Sequence, residues 1–536
     1  MELPIAQLIP EMIMLFTAAV LLLVGLAPSD STRRLVQPLA LLGLAAAFIT
    51  GLGYGVPAYA QSQLSSMAKY ITLLTAAIGF LSVLTAWGMP FRSDPSEPDT
   101  HYRGEFFALM LCSLAGVSMV AKTTDLVWLF LALELVSVPT YIMVATGRVQ
   151  TAAQEAGIKY FFLGALAAAV YLFGFSYLYG FAGSVQYTVI AAAFHRAIAA
   201  DHVPYIAIIG LLLVIVGISY KIAAVPLHFY APDVYQGAAT PVTAFLAFAP
   251  KATGIVALIM VINLTGWRLP GGSHGVVPSL LAVMAVLTMT VGNVLALWQR
   301  NIKRIFAYSS IAHSGYMLVG LAVGPVLLSS VGKSGGLVRD GIGATLFYLG
   351  AYSVMNLGAM AALVYMQGKT DAAEDLDDIA GAFSSNPWAC IGLAICLFSL
   401  IGMPGTIGFL GKFYIVEAAL ATHNTALAII VVINAAIAAA YYLRIIAAMF
   451  LRDPWSAPVA RKSLAPQAAL ALCTVLVIFL GVAPAMLLRQ SNAAARGEDY
   501  QMALAAPAAA HGARFAGRFA PENAPPPRVD VAAVAP

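Results

Sequence analysis

Glu134 lies in the middle of an apolar run, with eight uncharged residues between it and Asp125 and thirteen between it and Arg148. Lys251 is equally deep in the run 240–265. Lys221 stands five residues before Pro226 and Lys412 eight after Pro404, so each accompanies a helix breaker. His313 is flanked by Ser309, Ser310 and Ser314, and Lys159 opens another apolar run. A carboxylate, several amines and an imidazole with a reference pKa of about 6.5 make a set suited to moving protons. Low-polarity surroundings disfavour a charge and an opposite charge nearby restores it, so moving Glu134 toward or away from Lys221 loads or releases a proton. The alternatives are a structural ion pair at Glu134 and Lys251, snorkelling of Lys221, Lys412 or Lys159 toward an interface, and a buried His313 satisfied by a serine.

The elements that hold these residues must lie in lipid. The chain has 536 residues, 61% apolar and 10% charged, which is too little charge to coat water-soluble domains of that size. Its net charge of +4 is scattered, which excludes a nucleic-acid surface. Cys112, Cys390, Cys396 and Cys473 show no metal-ligand spacing, so no metal, iron–sulfur or disulfide site is expected. A span needs about 20 apolar residues. Runs at 5–27, 35–54, 69–89, 105–121, 125–146, 157–182, 204–224, 240–265, 277–298, 304–325, 341–366, 388–420, 424–450 and 466–488 predict an all-α integral membrane protein of about fourteen transmembrane helices. A central Lys or Asp costs about 2.5–3.5 kcal/mol on insertion scales, which packing alone would not select.

Pro226 is expected to end the seventh helix, and Gly402, Pro404, Gly405 and Gly408 to interrupt the twelfth. Such breaks survive at membrane depth only where protein or water satisfies the freed backbone. With the N-terminus outside, inward loops hold thirteen Lys and Arg and outward loops six, Lys122 among the latter, which places both termini outside. No basic segment precedes the first run, so that run is expected to remain as a span. Tyr141-Ile142-Met143-Val144 resembles Tyr316-Met317-Leu318-Val319 at an offset of 175, against 178 between Pro226 and Pro404. A shift of five helices inverts the second copy. The expected organisation is a three-helix segment (1–104), a first repeat (105–265), an inverted second repeat (277–451), a final helix (466–488) and a disordered Ala/Pro-rich tail (489–536).

The stretch from Lys221 through Pro226, His228, Pro232 and Asp233 to Ala238, followed by Thr240-Pro241-Val242-Thr243, resembles the antiporter-like subunits of respiratory complex I, the proton-pumping NADH:quinone oxidoreductase. The form Asp233-Val234-Tyr235-Gln236-Gly237-Ala238 is similar to the subunit N branch. Leu133-Glu134-Leu135, Glu155 to Phe161, Ser309 to Tyr316 and Gly402 to Phe413 carry the likeness across roughly 130–415. The resemblance implies discontinuous helices seven and twelve, and a Glu134–Lys221 entry pair. It also implies Lys251 as central relay, Lys412 as exit lysine, and His313 and Lys159 as accessory relays. NADH, FMN, iron–sulfur clusters and quinone would belong to other subunits, in keeping with the lack of a nucleotide-binding glycine fingerprint here. Subunits K and M would be the neighbours, in a bacterial cytoplasmic membrane. No long amphipathic helix follows the fourteenth run, unlike the distal subunit L. A multisubunit sodium/proton antiporter and a passive membrane-arm scaffold are the alternatives.

Overall fold

The computed structural model describes residues 5–54, 65–87, 104–148, 150–265, 267, 275–324, 340–367, 374–453 and 463–496. Among these there is no strand, and eleven helices are long and apolar enough to cross a membrane. Three shorter apolar helices accompany them. In chain order the helices are α1 (Ile9–Gly25), α2 (Asp30–Arg33), α3 (Val36–Gly51), α4 (Ser66–Ala86), α5 (Gly104–Val120), α6 (Leu126–Thr146), α7 (Thr151–Ala182), α8 (Tyr187–Ala199), α9 (Tyr205–Ser219) and α10 (Ala231–Gly237). They continue with α11 (Thr240–Leu246), α12 (Ala249–Asn263), α13 (Val276–Leu297), α14 (Ile302–Val323), α15 (Gly341–Met366), α16 (Pro387–Ile401), α17 (Ile407–Ala421), α18 (Thr425–Leu451), α19 (Leu464–Val482) and α20 (Ala485–Arg496).

Because almost every helix is apolar all round, composition alone does not say which ones face lipid. Burial does. The spans formed by α11 with α12, by α14 and by α15 are 94–100% enclosed, whereas those of α1 and α19 are only 28% enclosed. The enclosed helices carry Lys251, His313, Tyr348 and Tyr352, so the polar groups sit on an inner layer that the outer helices screen from lipid.

Asp125 caps α6 by accepting from the Trp128 amide at 2.8 Å, and Asn301 caps α14 by accepting from the Arg304 amide at 3.1 Å. Each capping residue also forms an isolated antiparallel bridge, Asp125 with Gln186 and Asn301 with Asp375. The two helix starts, 176 residues apart, are therefore built alike.

Several boundaries differ from expectation. The seventh helix ends at Ser219, and turns run from Tyr220 to Tyr230, so Pro226 lies inside the break instead of starting it. The run 240–265 is interrupted at Ala247 and Phe248, just before Pro250 fixes the first turn of α12. The second predicted break stands: Gly402 and Gly405 have φ of +98° and +88°, open to glycine and strained for other residues. The final span stops at Val482 instead of 488. Residues 489–496, expected in a disordered tail, complete α20. The rest of the tail lies outside the described residues. The helix α8, between the sixth and seventh spans, has no counterpart in the sequence reading.

Candidate functional site: a buried line of lysines

Lys221 sits in the turns after α9, 4% exposed, with Ala223 in the left-handed region at φ +53°. Its ammonium donates to Ser137 Oγ and lies 3.5 Å from Glu134 Oε1. Tyr171 donates to the same carboxylate oxygen at 2.7 Å. Glu134 and Ser137 are three residues apart on α6 and so share a face, which explains why one lysine meets both. Glu134 remains a quarter exposed, while Lys221 is enclosed.

Lys251, in the first turn of α12, donates to Ser314 Oγ at 2.5 Å, to the Ser310 carbonyl at 2.8 Å and to the Ile222 carbonyl at 3.4 Å. The last of these is backbone freed by the break that holds Lys221. Lys412 uses the other break in the same way: it donates to the Leu400 and Ile401 carbonyls at 2.8 and 2.9 Å. Those carbonyls end α16, where unpaired C=O groups carry the negative end of the helix dipole and compensate an ammonium. Among the described residues no carboxylate lies within 4 Å of Lys251 or Lys412.

Between these lysines lies His313, fully buried on α14. Its Nδ1 is 2.6 Å from the Tyr348 hydroxyl and its Nε2 3.2 Å from that of Tyr442, which also bonds Ser309. Tyr352 and Tyr316 pack on the imidazole with ring centres 4.9 and 5.6 Å away. The Lys251 ammonium stands 6.0 Å from the Tyr352 ring and that of Lys412 5.0 Å from the Tyr316 ring. Neutral imidazole offers one donor and one acceptor, and both hydroxyls can play either part, so the ring can change tautomer without losing a partner.

Lys221 and Lys251 wall the same cavity, about 20 Å³ in volume, with Tyr160, Ala231, Tyr235 and Ser310. That is room for a single water molecule, and the polar lining offers it partners. The cavity adjoins the short helix α10, whose Ala231, Val234 and Tyr235 face it at helical spacing. On the other face of α10, Asp233 accepts from Arg304 at 2.8 Å and Lys159 at 3.2 Å, and Gln236 accepts from Arg304 at 3.0 Å. One thin helix thus separates a half-exposed ionic cluster from the lysine cavity.

The structure therefore brings Glu134, Lys221 and Lys251 together, and links Lys251, His313 and Lys412 through tyrosines. It does not bring Lys159 into that line. Lys159 is 43% exposed and pairs with Glu155 at 2.7 Å and with Asp233. Nearby, Glu374 meets Arg148 at 2.5 Å and Lys303 at 2.9 Å, which ties the end of α6 to the start of α14. Burial pushes the Glu374 carboxyl up, but Lys303 and Arg148 together outweigh it and hold the group below the usual carboxylate range. Tyr171, Tyr348, Tyr442 and Ser137 were missed in the sequence. Their signal was polar hydroxyls at helical spacing inside apolar runs, as in Tyr348 and Tyr352.

Residues 123–438 match the family described as NADH:quinone oxidoreductase/Mrp antiporter, TM, and that span holds all six candidate site residues. The chain is 37% identical over 473 residues to NADH-quinone oxidoreductase subunit N 2 of Roseiflexus castenholzii, covering 87% of this chain and 91% of the relative. It is 34% identical over 510 residues to subunit N of Paramagnetospirillum magneticum, covering 92% and 98%. The chain belongs to the NADH-quinone oxidoreductase subunit N family. A chain of respiratory complex I from Thermus thermophilus with bound aureothin superposes with a TM-score of 0.71 at 30% identity, over 90% of this chain and 98% of that one. A chain of the Mrp complex from Dietzia sp. DQ12-45-1b superposes at 0.77 over 93% and 99%, but at 19% identity it shares the fold alone. As a subunit N family member with eleven apolar spans among the described residues, the chain is a multi-pass membrane protein.

Proposed function

We propose that this subunit N chain carries protons across the membrane arm of an NADH:quinone oxidoreductase, as a translocase subunit. The single observation that carries the reading is the cavity shared by Lys221 and Lys251, with Glu134 3.5 Å from Lys221. A proton enters past α10 from the Asp233 face, loads the Glu134–Lys221 pair and crosses the cavity to Lys251. It then passes by Ser314, His313 and its tyrosines to Lys412, whose break is exposed at Met403 and leads toward the opposite face. Lys159 sits at the entrance as part of the ionic cluster. The alike starts of α6 and α14 support two inverted repeats, 105–265 and 277–451, after an N-terminal segment 1–104.

Arg148, Lys303 and Arg304 gather on the face of Asp233. By the positive-inside rule this face is cytoplasmic, which puts the N-terminus on the outer side of a bacterial cytoplasmic membrane. Electron transfer from NADH through FMN and iron–sulfur clusters to quinone belongs to other subunits in this reading, with subunits K and M as the flanking neighbours. A passive scaffold has no use for four enclosed cationic or imidazole groups that each cost insertion energy. The test is Lys251→Met in the intact complex: NADH oxidation should lose its coupled proton gradient while a native gel shows full assembly. A normal gradient in the assembled variant would overturn the reading.

A further inference from the structure

A second enclosed carboxylate–lysine pair lies outside the line described above. Glu11, 1% exposed in the first turn of α1, sits 2.6 Å from the ammonium of Lys122, 7% exposed just past α5. Lys122 lies in a loop, as expected, but its side chain turns into the protein, where it also donates to the Gln7 carbonyl at 2.9 Å. Ser118 donates to Glu11 Oε1 and is 2.7 Å from Thr72 Oγ1. Lys122 and Thr72 wall a cavity of about 10 Å³, room for roughly one water. At its wall stands Lys69, on α4 and exposed.

The composition of this site repeats that of the Glu134 site: a carboxylate, a lysine, a serine hydroxyl bonded to one of the two (to Lys221 there, to Glu11 here), and a water-sized cavity touching the lysine. One feature separates it from a structural ion pair. Glu11 Oε2 is enclosed and accepts no hydrogen bond from any described residue. An enclosed carboxylate oxygen with no donor leaves its desolvation uncompensated.

We propose that Glu11 and Lys122 form a second proton-exchange site, open to water on the face opposite Asp233. In uptake, a Lys122 N–H bond breaks and an O–H bond forms on Glu11 across the 2.6 Å contact; the neutral amine then takes a proton from cavity water, which regains one from the medium. The pair gains one proton and one positive charge, and release reverses both transfers. Among the described residues the charged groups that face it are Lys69 and the two partners themselves.

The test uses the whole complex reconstituted in liposomes and infrared difference spectra between two pH values of the medium. Glu11→Gln should delete one carboxylic C=O band completely, and Lys122→Met should shift it, with assembly intact on a native gel. Should Glu11→Gln impair assembly, Ser118→Ala, which removes one donor to the carboxylate, should shift the same band. Spectra identical to wild type in these variants would overturn the site. Lys221→Ala should leave this band in place, so its failure and that of the main line are told apart.

Discussion

Ala231 is 2% exposed at the start of α10, and its methyl group forms part of the wall between Lys221 and Lys251. Valine there adds two carbon atoms to a cavity of about 20 Å³. A cavity needs about 10–15 Å³ of such space to hold one water molecule, so the added atoms and a water cannot share it. Overpacking of this kind costs about 1–3 kcal/mol, small against a total stability of about 5–15 kcal/mol, so the complex should still assemble. Without the bridging water the two amines have no shared partner, and proton transfer between them should fall at least about tenfold, the equivalent of about 1.4 kcal/mol on the barrier. The assay is redox-driven acidification followed by a pH-sensitive dye in membranes carrying Ala231→Val, with Ala231→Ser as a control that keeps the space hydrated. Normal pumping in assembled Ala231→Val would refute the argument that the cavity water carries the proton.

Glu134→Gln removes the carboxylate from a pair whose lysine is enclosed, which should cost about 3–5 kcal/mol, toward the lower end because Glu134 is a quarter exposed. Thermal unfolding of the detergent-solubilised complex measures it, and an unchanged midpoint would show the pair to be energetically idle. Glu374→Gln probes the tie between α6 and α14. The native carboxyl lies below its unfolded value of about 4.3, so its contribution is complete above that pH and fades as pH falls through the native value. The stability gap between wild type and Glu374→Gln should therefore be constant near neutrality and close on acidification below about pH 4; a gap that widens there would contradict the pairing with Lys303 and Arg148.

The lysines were legible because charge inside an apolar run is costly and therefore visible in a single sequence. The twelfth-helix break was legible for a related reason, since Gly402 and Gly405 supply the positive φ that the turn needs. The break before Lys251 was not, because Ala247 and Phe248 are ordinary helix residues and only tertiary packing interrupts them. Tyr348 and Tyr442 were hidden by composition: tyrosine is common in spans, and nothing local shows that two hydroxyls converge on His313 from α15 and α18. The burial of Lys122 was hidden for the opposite reason. It lies at the end of an apolar run, where a lysine ordinarily snorkels to water, and its partner Glu11 is more than a hundred residues away.

The central claim is that Lys221 lies on the proton path. Its most direct test is the number of protons released per NADH oxidised by membranes whose complex carries Lys221→Ala, with assembly verified on a native gel. The account predicts loss of pumping and of coupled oxidation in a fully assembled complex. Unchanged pumping with normal assembly would remove Lys221 from the path and leave the Glu134 pair without a role in transport.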